Sequence, residues 1–182
     1  AHAGPCPERS YARFQEAARL ARSGKRASIL TGGDPSIFSA GWRIMELADG
    51  RLPVHISPGV SAFSSVAARA GAPLCGDFAL LSRPDDPAAP SLLAAAGFGV
   101  VVYNVRGHEL LPLLQDLEPE RAVALARDVA RRGEEMIIMR AEEMINIRPS
   151  GFRFTLLISC PRAEIREGRI IAKRGYDTKY SY

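Results

Sequence analysis

Thr31-Gly32-Gly33-Asp34-Pro35-Ser36-Ile37-Phe38 stands where a strand-like run gives way to a helix-like one. Upstream, Arg26 to Thr31 reads as a short strand. Downstream, Ile37 to Ala48 reads as a helix closed by Gly50. A strand that ends in paired glycines and passes into a helix is the βα turn of an α/β fold, where ligands bind outside the carboxyl ends of strands. Two glycines let the chain turn sharply and bring its backbone to a ligand with no side chain between. Asp34 is placed to cap the next helix or to accept a ligand hydroxyl. A capped turn without a ligand fits these residues equally well. The stretch is neither GxGxxG nor a P-loop, so it does not predict a phosphate cradle.

Working outward, the alternation continues. Pro7 to Ser23 reads as a helix, with Tyr11, Phe14, Ala18 and Ala21 at spacings of three and four and Gly24 as its stop. Pro53 to Ile56 reads as a strand ended by Pro58-Gly59, and Ser61 to Ala70 as a helix of small residues with Ser61 as its N-cap. Phe78 to Leu81 is a further strand. Arg83 to Pro90 (RPDDPAAP) holds three prolines and reads as a linker. Beyond it come a helix at Ser91 to Ala96, a strand at Val100 to Tyr103, a helix around Glu109 to Asp116, and strands at Ala122 to Ala126, Glu135 to Met139 and Thr155 to Ser159. The tail from Arg166 to Tyr176 reads as an edge hairpin. The pattern predicts α/β architecture with largely parallel sheets, a first domain over residues 1–82, a linker over 83–90 and a second domain over 91–182.

Composition narrows the function classes. The chain has 182 residues, 47% hydrophobic and 24% charged, which suits a globular protein with a sizeable core. No run approaches a membrane span. The opening AHAGPCPERS has no basic or apolar signal region and no initiator methionine, so the chain reads as cut from something longer. Cys6, Cys75 and Cys160 offer neither zinc spacing nor an even disulfide set, which predicts a reducing cytoplasm and no metal. A formal charge of +4 permits an anionic partner. The charges are dispersed, without a striped, aromatic-laced basic surface, which argues against nucleic acid.

Two further places could carry chemistry. Pro58-Gly59-Val60-Ser61-Ala62 again joins a strand to a helix, offering N–H groups and a hydroxyl to a polar ligand, or simply an N-cap. Tyr103-Asn104-Val105-Arg106 ends the run GVVVYN, and Asn104 could read an amide-like edge or be a loop asparagine. Acid–base groups are thin. His2, His55 and His108 show no metal or triad spacing. Cys160, after a buried strand, reads as an inert core thiol. Glu134-Glu135 and Glu142-Glu143 read as solvated or helix-start charges. Methyl transfer from a sulfonium fits such scarcity: the methyl group is already activated and positioning does most of the work.

These segments resemble a known family. TGGDPSIF is similar to the Gly-Asp-Pro loop of the tetrapyrrole methylases, and SPGVSAFSSVAARAGAPLCGDFALLS to their second signature. VYNVRG, ARDVARRGEE and GRIIAKRGYDTKY follow in the family's order, and the GAPL-x-x-DFA-x-x-S continuation is closest to the precorrin-3B C-17 methyltransferases of cobalamin biosynthesis. The resemblance implies two α/β domains with a cleft between them. It implies S-adenosylmethionine as methyl donor and a tetrapyrrole rich in carboxylates as substrate, held by arginines. Methyl transfer to C-17 with ring contraction is the activity it implies. The uroporphyrinogen-III type of methylase, or a catalytically silent binding domain, are the alternatives. Carried over by position, Gly32, Gly33, Asp34 and Ile37 match the first donor loop, Ser61 and Ala62 the second, Asn104 a residue facing the donor, and Val129 a backbone contact. A homodimer, the aerobic or anaerobic route and the exact tetrapyrrole stay open. The family's opening GxGPGD loop has no counterpart here, so the first domain is expected to be N-terminally truncated. YNVR replaces YNPR, RDVA replaces RNAG, and Ser159-Cys160-Pro161 replaces Gly-Asn-Ser.

Overall fold

The computed structural model describes residues 7–39, 41–72, 74, 76–151, 153–173, 175 and 179, with side chains from Tyr11 onward. His2, Cys6, Cys75, Tyr176 and the chain end lie outside the described residues. The chain divides into two compact units, the first ending at Ser61 and the second beginning at Ala62.

In the first unit, helix α1 (Pro7–Arg22) packs against helix α2 (Gly41–Ala48). Ala18 and Ala48 are its buried apolar residues. The α1 stop falls where expected: the Gly24 N–H donates to the Ala21 carbonyl at 3.0 Å and the Lys25 N–H to Leu20 at 3.1 Å, a paired closing motif that satisfies the last turn. Helix α2 begins at Gly41, later than the expected Ile37. The reason is local: Asp34 draws residues 34–37 into a tight turn, Phe38 takes φ 44°, and the Ser39 hydroxyl accepts the Gly41 N–H at 3.1 Å as a fresh cap.

Neither expected strand of this unit forms a ladder among the described residues. Residues 25–31 and 53–60 belong to neither a helix nor a strand, and Leu30 stands 89% exposed. Apolar, β-prone residues make a strand only when a neighbour supplies the other half of the hydrogen bonds.

The second unit opens with helix α3 (Ala62–Ala70) and is built on a five-stranded sheet of order β1-β2-β5-β3-β4: β1 (Phe78–Ser82), β2 (Gly99–Val105), β3 (Ala122–Arg127), β4 (Glu135–Arg140) and β5 (Phe154–Ile158). Here the expectation of largely parallel sheets is corrected. Only β1 and β2 run parallel, while β2–β5, β5–β3 and β3–β4 are antiparallel.

The expected linker is corrected too. Parallel neighbours need a crossover, and RPDDPAAP leads into it. The Asp86 carboxylate accepts the Ala88 N–H at 2.9 Å, and Pro90 occupies the first turn of helix α4 (Ala89–Ala95), which returns the chain to β2. Residues 78–82 therefore belong to the sheet of the second unit, and the division falls at Ser61–Ala62 rather than at 83–90.

The central strands β2, β3 and β5 are covered on both faces, which explains apolar runs such as GVVVYNV and FTLLI. Val100, Val102, Leu125, Leu156 and Ile158 share one cluster with Ala94 of α4, with Leu110, Leu113 and Leu114 of helix α5 (Leu110–Leu114), and with Met144 of helix α6 (Ala141–Met144). Helix α3 packs against β5. The tail hairpin is β6 (Ala163–Arg166) and β7 (Arg169–Ala172), turning at Glu167-Gly168. It forms a separate two-stranded sheet rather than an edge of the main one.

Candidate functional site

Two loops of the first unit meet at the residues the sequence singled out. The Asp34 carboxylate organises both. One of its oxygens accepts the Ser36 N–H at 2.8 Å and the Ser36 hydroxyl at 2.5 Å; the other accepts the Gly59 N–H at 3.1 Å. The Ser36 hydroxyl and the N–H groups of Ser36 and Gly59 favour the ionised form and hold this carboxyl below the usual aspartate range. Asp34 does not cap α2, which begins at Gly41 behind Ser39; it closes a turn on Ser36 and ties its own loop to the Pro58-Gly59 loop.

The approach of the two loops is close. A Cβ on Gly59 would collide with the Gly33 carbonyl oxygen and lie 3.2 Å from its carbonyl carbon. Gly33 has φ +72°, and a Cβ there would lie 3.7 Å from the Val60 carbonyl oxygen and 4.0 Å from the Ser61 Cα. One glycine is required by contact and the other by backbone conformation. Gly32 and Gly33 are exposed, Ile37 is half-buried and Ser61 is buried at 7% exposure. Gly33, Asp34, Gly59 and Ser61 therefore form one knot of backbone with a carboxylate at its centre. Gly59 and Ser36 were not named as site residues from sequence. The Pro58-Gly59 dipeptide was the available signal, but its partner lies 25 positions away.

The remaining candidates lie in the second unit. Ala62 is the exposed first residue of α3. Behind it the Phe63 N–H donates to the Tyr103 hydroxyl at 2.7 Å, so β2 supplies an acceptor to the first turn of α3. Burial pushes the Tyr103 hydroxyl above its ordinary pKa, against the Phe63 N–H, which acts to lower it. Asn104 follows at an irregularity in the β2–β5 ladder between Val102 and Val105. It has φ 60°, is exposed, and donates its amide N–H to the Ser82 hydroxyl at 3.0 Å. A bulge with left-handed backbone at a strand end re-aims a side chain at a cost in strain. Val129 sits in the turn after β3, flanked by Asp128 at φ 51° and Ala130 at φ 62°. The Ala130 N–H donates to the Glu134 carboxylate at 2.7 Å, pinning the turn.

Other expectations resolve as follows. Glu143 accepts the Arg140 N–H at 3.0 Å at the start of α6, and Glu135 pairs with Arg127, so these acids serve structure. His55 is exposed. Cys160, expected in a core, is half-buried and lines a cavity. Among the described residues no cluster of His, Cys, Asp and Glu could hold a metal, and no helix is long and apolar enough to cross a membrane.

Known proteins resemble this chain over most of its length. The model of the tetrapyrrole (corrin/porphyrin) methylases matches residues 6–145, a span that contains every candidate residue above. The chain is 25% identical over 191 residues to a cobalt-factor III methyltransferase of Priestia megaterium, covering 93% of this chain and 35% of that protein. It is 27% identical over 175 residues to a precorrin-3B C(17)-methyltransferase of a Sinorhizobium species, covering 85% of this chain and 69% of that protein. It thus spans about a third of the first relative's length. Among solved structures, the methyltransferase CobJ superimposes with a TM-score of 0.69 at 22% identity, over 88% of this chain and 75% of that one, a likeness of fold.

Proposed function

Because the chain belongs to the tetrapyrrole (corrin/porphyrin) methylase family, we propose that it takes part in S-adenosylmethionine-dependent methylation of C-17 of a precorrin-3B-type tetrapyrrole, with ring contraction, in cobalamin biosynthesis. The observation that carries the reading is the Asp34 latch. It sets two loops together so that backbone, rather than side chains, lies at Gly32, Gly33 and Ser61. A donor with adenosine and amino-acid parts is polar along its whole length, and such backbone can meet it with N–H and carbonyl groups. The relatives named for C-17 chemistry point to the substrate.

The residues fit such a donor. Gly33 and Gly59 carry no Cβ where the loops touch. Asp34, Ile37, Ser61 and Ala62 complete the proposed donor loops, and Asn104 and Val129 are assigned to the donor by the family resemblance alone. When bound, the donor supplies an activated methyl group on a sulfonium. Held by the loops of Gly32, Gly33, Asp34 and Ser61, it would allow direct displacement by an electron-rich carbon of the macrocycle, with a neutral thioether as the leaving group. The chain's own residues would bind and orient it, and positioning an already activated methyl group does most of the work.

Titration of the chain with S-adenosylhomocysteine by calorimetry, with melting temperature followed in parallel, tests the donor site. Heat of binding and a rise in melting temperature are expected, because a ligand specific for the native state must stabilise it. Neither heat nor a shift at millimolar ligand would leave the catalytically silent domain as the better reading.

A further inference from the structure

The second unit holds a cavity of about 580 Å³ that none of the proposed donor residues lines. It lies at the edge of the sheet where β2 begins. Gly99 is in its wall, whereas Asn104 sits five residues along the same strand, about 17 Å away at the usual strand rise.

Its wall has two characters. Leu74, Leu157 and Ile170 give it an apolar side. Arg162 and Lys173 stand at its exposed side; Asp77 is in the wall, and Glu164 of β6 is close enough to Lys173 for the two charges to interact. No hydrogen bond or ion pair among the described residues engages the Arg162 guanidinium. Ser159, also in the wall, is 4% exposed, and its hydroxyl has no hydrogen-bond partner among the described residues. Its backbone is fully used: the N–H donates to Ala122 at 3.0 Å and the carbonyl accepts from Arg121 at 3.1 Å. That hydroxyl is closed off from solvent, so Ser159 meets the cavity through its other atoms.

We propose that this cavity binds a small organic anion with an apolar body, its charged group held by Arg162 and Lys173. The volume falls in the range of small-molecule sites, which are mostly apolar with a few convergent polar groups. The Arg162 guanidinium, which no carboxylate among the described residues pairs with, selects for negative charge. The site is independent of the methyl-donor loops.

The probe is 1-anilinonaphthalene-8-sulfonate, followed by fluorescence, beside N-phenyl-1-naphthylamine, which keeps the rings and lacks the sulfonate. The sulfonate dye is expected to bind the full chain more tightly than the neutral one. The double change Arg162→Ala and Lys173→Ala should weaken it about tenfold or more, as loss of charge-assisted hydrogen bonds does, and leave the neutral dye unchanged. Gly76→Phe should block both dyes, since a Cβ at Gly76 meets open space and the ring would fill the cavity. Saturating S-adenosylhomocysteine should leave dye binding untouched. Equal affinity for both dyes, or sulfonate-dye binding unchanged in the double variant, would assign the dye to exposed apolar surface and overturn the proposal. Competitive displacement by S-adenosylhomocysteine would overturn it as well. Arg162 and Lys173 are surface residues, so the double variant decides the matter even if Gly76→Phe does not fold.

Discussion

The Asp34 carboxylate accepts the backbone N–H of Gly59 at 3.1 Å, across 25 positions of chain. Its other oxygen is engaged by the N–H and hydroxyl of Ser36. A single side chain thereby sets the distance between the two loops on which the proposed donor site depends. Asp34→Ala should free the Gly59 loop and weaken S-adenosylhomocysteine by about tenfold or more, while α1 and α2 keep their helical signal. Asp34→Glu should not restore affinity, because the longer side chain cannot keep both bonds at these lengths. Calorimetry and circular dichroism on the same samples check both statements.

The same carboxyl makes a pH prediction. Its folded pKa lies below its unfolded one, so the unfolded chain takes up the proton more readily. The stabilisation is then fully present above the ordinary aspartate value, about 4, and is lost as pH falls below it toward the folded pKa. Melting temperature measured from pH 6 to pH 2.5 should fall less steeply below pH 4 in Asp34→Asn than in the native chain. Parallel curves would show that Asp34 contributes nothing to the dependence.

Gly59 and Gly33 should fail for different reasons. Gly59→Ala sets a methyl group against the Gly33 carbonyl, a close-packing clash of about 1–3 kcal/mol. Gly33→Val forces a β-branched residue into φ +72°, a strain of similar size. Denaturant melts read the cost, and both variants should lose donor affinity. A variant that keeps native affinity would remove its glycine from the site.

Cys160 lines the anion cavity and not the donor loops. Cys160→Ala should therefore leave methyl-transfer kcat and KM within about twofold of the native values wherever turnover is measured. Slowed displacement with unchanged donor affinity would mean that a thiol takes part, and the direct-displacement account would be abandoned.

Tyr103 offers a test of architecture. Its hydroxyl accepts the Phe63 N–H at the start of α3, so Tyr103→Phe should cost about 0.5–1.5 kcal/mol of stability. Denaturant melts would show no loss if the bond is replaced by water.

The central strands β2, β3 and β5 were legible because each is buried on both faces, and runs such as AVALAR and FTLLI announce that directly. Their direction was not. β5 enters between β2 and β3, a pairing decided by residues far apart in sequence, so an alternating pattern that suggested parallel neighbours produced a mostly antiparallel sheet. RPDDPAAP has the composition of a linker and serves as the entry to a crossover helix. In the first unit the apolar runs at 26–31 and 53–56 carry strand character with no ladder among the described residues, and nothing within either run tells whether a neighbour is supplied. A turn at Gly-Asp-Pro was readable from its residue types, but not that Asp34 closes on Ser36 and leaves the start of α2 to Ser39. The role of Gly59 was not, because a steric contact with Gly33 leaves no periodic trace.

The most direct test of the central claim is calorimetric titration of the native chain and of Asp34→Ala with S-adenosylhomocysteine, side by side. The account predicts saturable binding by the native chain at one site and a loss of about tenfold or more in the variant. Absence of binding to the native chain, or equal affinity in the two, would contradict it.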